Sequence, residues 1–400
     1  MRAIQYVRSV PRYLALRTLG RVWIGAAASA LSPVRLATVD PPRLPGPRWA
    51  RVRPRLAGVC GSDLATATAS GSPYFAPLTS MPFVFGHEVV GDVVEVGPEV
   101  ARVRVGDRVA LFPPLHCEVR GVEPRCHPCR AGLVGHCTQV MRGAIAAGIQ
   151  TGYCRDTGGG WGEELVAHEV QLFPLPAGLS DEAAVLIEPL ACCLRAVERA
   201  APAEDATALV LGVGSIGALT IAALKAGAPP ARIVAVAKHD HQKRAARDLG
   251  ADIVVGSGAR LREDLARVLG AELHRPEIGP PTTLGGADVT FDCVGTGRTI
   301  DEAMRFTRAR GTVIVVGMPG VAEGVDWTAM WHKELDVRGS YTSTAATFAR
   351  AVDHAAATDE ALARLVGARF PLEAWRDALA CALDTGRSGV LKTVFAPELR

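Results

Sequence analysis

The chain has 400 residues, of which 48% are hydrophobic, and a net charge of +3 at pH 7. That length and apolar content exceed what one ordinary core holds, so two domains are expected. The slight charge, scattered without a basic stripe or interleaved aromatics, gives no sign of a nucleic-acid surface and favours a small-molecule partner.

From the start, Met1 to Val7 alternates like a first strand, and no Asp or Glu occurs before Asp40. That composition could pass for a targeting segment, but the alternation argues against it. Leu14 to Ser32 is of uncertain form, with a surface helix as one option. Pro41, Pro42, Pro45 and Pro47 mark a loop, and Arg51 to Leu56 then alternates charged and apolar residues towards Cys60. The stretch from Cys60-Gly61-Ser62-Asp63 to Gly86-His87-Glu88 offers a thiolate, an imidazole and a carboxylate oxygen, the mixture a catalytic zinc takes when it keeps one position open. Taken singly, Cys60 is a buried small hydrophobe and His87 a satisfied core histidine; taken together, in a chain with a cysteine lobe and a nucleotide fingerprint further along, they are metal ligands. Val89 to Gly97 and Val103 to Val109 read as strands with glycine punctuation, hence a small barrel-like β-domain.

Cys117, Cys126, Cys129 and Cys137 crowd into one polar stretch. A CxxC with two further cysteines close by points to closed tetrahedral thiolate coordination, a structural zinc, in a reducing compartment. His116, His127 and His136 read as exposed neighbours. Asp181 to Arg195 reads as one helix, in which Glu188 lies amid apolar residues and needs a partner, a cation being one candidate.

The most hydrophobic stretch, Ala208 to Ala226, carries glycines and a lysine, so it reads as strand, turn and helix and not as a membrane span. Its turn holds Gly212, Gly214, Ser215, Ile216 and Gly217 in a GxGxxG arrangement, the dinucleotide fingerprint. A second strand, Arg232 to Val236, a helix from Asp240 to Leu249 and a third strand after Asp252 supply the expected context. Where an acid would hold the ribose 2′-hydroxyl stands Ala237, followed by Lys238, with Lys243 and Arg244 close by. These favour NADP over NAD, although they also read as solvated charges at a helix start. Two later strands end at Val294-Gly295 and Val316-Gly317, positions that line the nicotinamide side in a doubly wound sheet. Residues 259 to 283 read as a polar, proline-marked excursion, helices follow over 347 to 365 and 373 to 384, and Val390 to Val394 closes the chain as a strand.

Six motifs in this order, GVCGSD ending at Asp63, GHEVVGDVVEVG from Gly86, VGDRV ending at Val109, the cysteine lobe, EPLA from Glu188 and LGVGSIG ending at Gly217, resemble the zinc-containing medium-chain dehydrogenases along nearly the whole chain. The resemblance implies an α/β protein with a GroES-like β-rich catalytic domain over residues 1–190, a Rossmann doubly wound parallel sheet over 191–343, a segment 344–400 returning to the first domain, and an active site between the two. It implies Cys60 and His87 as zinc ligands, with Glu188 as third ligand or holder of the metal water, and Glu88 as a substitute in that shell. It also implies a cytoplasmic homo-oligomer, dimer or tetramer, that transfers hydride between NADP or NAD and an alcohol or carbonyl. Two departures stand out. Ala65 occupies the place of a usual relay histidine, so Ser62 is read as the first proton acceptor. Glu123 occupies the usual place of the first lobe cysteine, so Cys117 completes that site only if the intervening loop bulges. Two other classes fit the same motifs: an enzyme using its nucleotide internally for epimerisation or elimination, and a nucleotide-binding protein without catalysis.

Overall fold

The computed structural model describes residues 1–19, 24–29, 32–226, 230–318 and 320–399. The 14–32 stretch lies partly outside them; its described parts are a helix, Val10–Leu19, and a 3-10 turn, Ile24–Ala28. The chain divides into two compact units, Met1–Glu188 with Ser343–Arg400, and Pro189–Thr342.

The first unit is built on the strand Trp49–Gly58. It pairs antiparallel with Val89–Val96, Ala50 opposite Val96 and Ala57 opposite Val89. The sheet extends through Arg108–Leu111 and Leu172–Pro174 on one side, and through Lys392–Phe395 and Val366–Phe370 on the other. Strand periodicity sends Val52 and Leu56 inward, and Val52 joins Val89, Leu111, Trp161 and Phe395 in the core. The intervening arginines stay outside, where Arg55 bonds Asp181 at 2.7 Å. The strand expected over Val103 to Val109 is shorter than read. Arg104 to Asp107 forms a turn, closed by the Asp107 N–H on the Arg104 carbonyl (3.1 Å) and the Arg104 N–H on Asp107 Oδ2 (2.9 Å).

The helix expected over Asp181 to Arg195 is two helices, Asp181–Ala184 and Ile187–Ala200. Pro189 is the cause: it has no N–H and its ring obstructs the preceding turn, so it suits the first turn of a new helix and not the middle of an old one.

His168 ends the strand Leu165–His168, buried, its Nδ1 accepting the Val170 N–H at 3.3 Å. Burial, and then the Arg48 guanidinium, push its pKa down to about 4. An unfolded histidine titrates near 6.5, so the unfolded chain takes up this proton first as pH falls. His168→Gln should therefore flatten the loss of thermal stability between pH 6.5 and 4; an unchanged slope in that window would show that His168 is not its source.

The second unit is a six-stranded parallel sheet in the order Ile253–Gly256, Arg232–Ala237, Thr207–Leu211, Ala287–Asp292, Thr307–Val315, Asp336–Gly339. This is the doubly wound order with its switch point beside Thr207–Leu211. The 259–283 stretch is not a plain excursion: it holds a helix, Leu261–Leu269, and a hairpin of Glu272–His274 with Thr282–Leu284. Only Leu265, Ala266 and Leu269 of that helix are buried, so its four charged residues hid the pattern.

Candidate metal and nucleotide sites

Cys60 is the N-cap of the helix Gly61–Ala67, immediately after the strand Trp49–Gly58. His87 and Glu88 lead into the partner strand Val89–Val96. Because Ala57 stands opposite Val89, the end of one strand meets the beginning of the other. The ligand atoms of Cys60, His87 and Glu88 consequently lie within 4.8 Å of one another.

One carboxylate touches both of the first two. Asp63 is fully buried; its Oδ2 accepts the Cys60 N–H at 3.1 Å, and its Oδ1 lies 3.6 Å from His87 Nδ1. Burial alone would lower the His87 pKa, but Asp63, Cys60 and Glu188 more than offset this and hold it well above the ordinary value. The Oδ1 atom also accepts the hydroxyl of Tyr153 at 3.3 Å.

Glu88 forms a buried ion pair with Lys392, whose Nζ also donates to the Val59 carbonyl at 3.2 Å. Burial works against the Lys392 proton, yet Glu88, Cys60 and Glu188 raise its pKa and keep it charged. The pair needs Gly58 beneath it: a Cβ there would stand 1.9 Å from Glu88 Oε2. Glu188, 8% exposed in the first turn of Ile187–Ala200, stands outside the trio, and its charge reaches both His87 and Lys392. Ser62 Oγ is buried with no hydrogen-bond partner among the described residues. A thiolate, an imidazole and carboxylates gathered in this way, with the buried Ser62 hydroxyl two residues from Cys60, suit a zinc that keeps an open position.

Asp63, Tyr153 and Lys392 are not among the residues singled out from sequence. Asp63 had a local signal, since an acid three residues after an N-cap reaches back to its N–H. A lysine in the apolar terminal strand was a second. Tyr153 has none, because it arrives from 90 positions away.

The sulfurs of Cys117, Cys126, Cys129 and Cys137 also gather within 4.8 Å. The loop after Cys117 doubles back through Gly121, at φ +63°, with the Val122 N–H on the Cys117 carbonyl at 2.9 Å. That turn carries Cys117 in and leaves Glu123 exposed, bonded to Arg125. Backbone N–H groups of Cys126 and Gln139 donate to the sulfurs of Cys117 (3.3 Å) and Cys137 (3.4 Å). Burial opposes ionisation of Cys126, but bonds from Thr138 and Cys129 hold its pKa down at about 6, while burial pushes Cys137 up to about 11 and Cys129 up as well. Four thiolates this close repel; a divalent cation lets them ionise together. His127 and His136 are exposed, but His116 is buried, its pKa lowered to about 4 by burial and Arg125. The expectation of an exposed His116 is thus corrected: it lies between Leu115 and Cys117, both turned into the interior.

Beneath the cysteines Arg120 is fully buried, and its guanidinium donates to the carbonyls of Leu115, Arg142, Ile145, Ala146 and Gly148 at 2.7–3.1 Å. These bonds fix the return path of the chain from the cysteines towards Tyr153.

In the second unit the turn Gly212 to Gly217 follows Thr207–Leu211 and opens the helix Ser215–Ala226. A Cβ on Gly217 would lie 1.9 Å from the Gly212 carbonyl oxygen, so strand and helix approach as only glycine permits, while Gly214 has open space around it. Leu211 stands opposite Val236 and Asp292, which aligns the strand ends bearing Ala237, Val294 and Gly295. The Val316 and Gly317 N–H groups both donate to the Asp292 carbonyl at 2.9 Å, and Val294 is 43% exposed at this rim. Ala237 is buried; Lys238, next in the chain, and Arg244, in the helix that follows, are exposed. Asp240 starts the next helix and is bonded to Lys243 at 2.9 Å. Open space at Gly214 and donors at a helix start fit a pyrophosphate.

The family model for the alcohol dehydrogenase GroES-like domain matches residues 46–177, and that for zinc-binding dehydrogenases matches 212–357. The chain is 32% identical to L-idonate 5-dehydrogenase of Vitis vinifera, over 78% of this chain and 79% of that one. It is 32% identical to sorbitol dehydrogenase of Arabidopsis thaliana, over 78% and 80%. A Sinorhizobium meliloti protein proposed to be a zinc-binding dehydrogenase, solved with NADP bound, superposes with a TM-score of 0.70 at 26% identity, covering 91% of this chain and 95% of that one. The 2R,3R-butanediol dehydrogenase of Bacillus subtilis shares the fold, with a TM-score of 0.74 at 23% identity over 99% of both chains.

Proposed function

The chain belongs to the zinc-containing medium-chain dehydrogenases, with a GroES-like and a Rossmann domain, and is an alcohol dehydrogenase-like oxidoreductase; from that premise we propose that it oxidises a secondary alcohol of a polyol or sugar acid, or reduces the matching carbonyl, with NADP preferred to NAD. The observation that carries the reading is the gathering of Cys60, His87 and Glu88 in a chain that also holds the nucleotide turn. The names of its 32% identical relatives support the substrate class.

Cys60 and His87 would hold the zinc, with Glu188 as the third protein group, because Glu88 is already committed to Lys392. When bound there, zinc acts as a Lewis acid that lowers the pKa of an alcohol oxygen. Asp63 faces the His87 ring and would keep it in place, and the buried Ser62 hydroxyl would accept the alcohol proton while passing its own on to water; the nicotinamide, when bound, would supply the hydride acceptor. Cys117, Cys126, Cys129 and Cys137 would hold a second, structural zinc. We read the protein as a cytoplasmic homo-oligomer; among the described residues no helix is long and apolar enough to cross a membrane.

Purified, zinc-loaded protein should be screened against alcohols, polyols and aldehydes with each cofactor, followed at the nicotinamide absorbance. Stoichiometric NADPH release with a polyol supports the reading and counts against internal redox chemistry. No turnover with any alcohol would overturn it.

Cofactor choice has its own test. Lys238→Ala should weaken NADP more than NAD, and Ala237→Asp should shift preference towards NAD, since a charge-assisted contact to phosphate contributes on the order of 1.5–3 kcal/mol. Equal losses of affinity for both nucleotides would place the phosphate elsewhere.

A further inference from the structure

We propose that Tyr153 is a positioning residue for the metal shell, its hydroxyl holding Asp63 so that one carboxylate sets both Cys60 and His87. The inference rests on the zinc reading above and adds to it a residue from a distant loop. Asp63 has two oxygens and three neighbours: the Cys60 N–H at Oδ2 (3.1 Å), and Tyr153 Oη (3.3 Å) and His87 Nδ1 (3.6 Å) at Oδ1. The carboxylate is wholly buried, so each of these contacts acts at low local dielectric. If the hydroxyl is removed, Oδ1 keeps only the longer approach to His87, and the carboxylate is free to rotate about its bond to Cβ. Cys60 would then lose its reach-back bond, or His87 its facing charge, or both in turn.

Tyr153 is well placed for the task because its ring is itself fixed. It packs against Phe83 (5.1 Å between centroids) and against His87 (6.0 Å), and its hydroxyl also meets Thr66 Oγ1 at 3.4 Å. Its backbone is fixed too, with its N–H on the Gln150 carbonyl at 3.2 Å, in the segment that leaves the Arg120 clamp at Gly148. The hydroxyl can therefore be deleted with little change to packing, which separates positioning from core filling.

The test is Tyr153→Phe in the whole enzyme, read first by metal affinity. With Co²⁺ as the probe, the wild type should bind two ions distinguishable by their absorption bands. Tyr153→Phe should bind the Cys60 and His87 ion about 10–100-fold more weakly, the usual cost of losing a group behind a metal ligand, with a shifted band. The cysteine-lobe ion and the melting temperature should be unchanged. Asp63→Asn should give the same shift, and Tyr153→Phe in that background should cost nothing more, because the tyrosine acts through the carboxylate. Should Tyr153→Phe fail to fold, protein carrying 3-fluorotyrosine in place of tyrosine, which keeps the hydroxyl and alters its donor strength, should show the shifted band of the Cys60 and His87 ion, and an unshifted band would overturn the inference. Wild-type affinity and band shape in a folded Tyr153→Phe, or additive losses in the double variant, would overturn the inference alone. A wild type that binds no ion at Cys60 and His87 would overturn it together with the zinc reading.

Discussion

His87→Ala should abolish turnover and leave nucleotide binding intact. The ring supplies the only imidazole of the trio, and its loss leaves a thiolate and a carboxylate that already faces Lys392. Asp63 then stays buried with the Tyr153 hydroxyl and the Cys60 N–H as its partners but with no ring facing Oδ1, so the loss of a buried facing charge adds to the loss of a ligand. Without the metal the enzyme forgoes several kcal/mol of transition-state stabilisation, about a thousandfold or more in rate. Glu188→Gln should keep the shape and remove the charge, so zinc retention falls and the pH dependence of turnover moves. Each variant is assayed for bound zinc, NADP affinity and turnover on the alcohol found by the screen. A His87→Ala protein turning over at near wild-type rate would sink the zinc mechanism.

The second large effect is expected at the cysteine lobe. Cys129 sits buried in the short helix His127–Arg130, with Cys126 as its N-cap. Cys129→Ser replaces a soft thiolate with a hydroxyl that stays protonated, so three ligands are left for a site that closes with four. Binding of a structural zinc is worth about 10–16 kcal/mol in small zinc-finger peptides, and it counts as folding energy because the site does not exist unfolded. The variant should carry one zinc per chain instead of two, and its melting temperature should drop by many degrees. If metal analysis still finds two and the melting curve does not move, these cysteines hold no structural metal.

What the sequence made legible was whatever repeats locally. GxGxxG after an apolar run needs only a strand and a helix in succession, and Cys126-x2-Cys129 needs only one helical turn, so both motifs announce themselves within ten residues. Cys60 and His87 are 27 positions apart, and it is their donor types and the motifs around them that single them out; the pairing that brings them together is seen only in the fold. Tyr153 could not be read, because its contact with Asp63 depends on the register of a loop against a helix and no periodic pattern encodes that. The helix at Leu261–Leu269 is hidden for a different reason: it buries a single narrow stripe, and sequence periodicity fades when one face carries few apolar residues. The burial of His116 has no sequence signal, because a place beside a polar cysteine loop says nothing about depth. Asp63 lay in plain view in the Cys60-Gly61-Ser62-Asp63 motif, but its function appears only once the partner strand arrives.

Arg120 gives the cysteine lobe a property of a different kind. Five carbonyls spread from Leu115 to Gly148 share one guanidinium. Opening either end of the lobe strands a desolvated charge, so partial opening costs nearly as much as complete opening. The segment therefore has no cheap frayed state and behaves as a single opening unit, a foldon whose backbone amides exchange with solvent together or not at all.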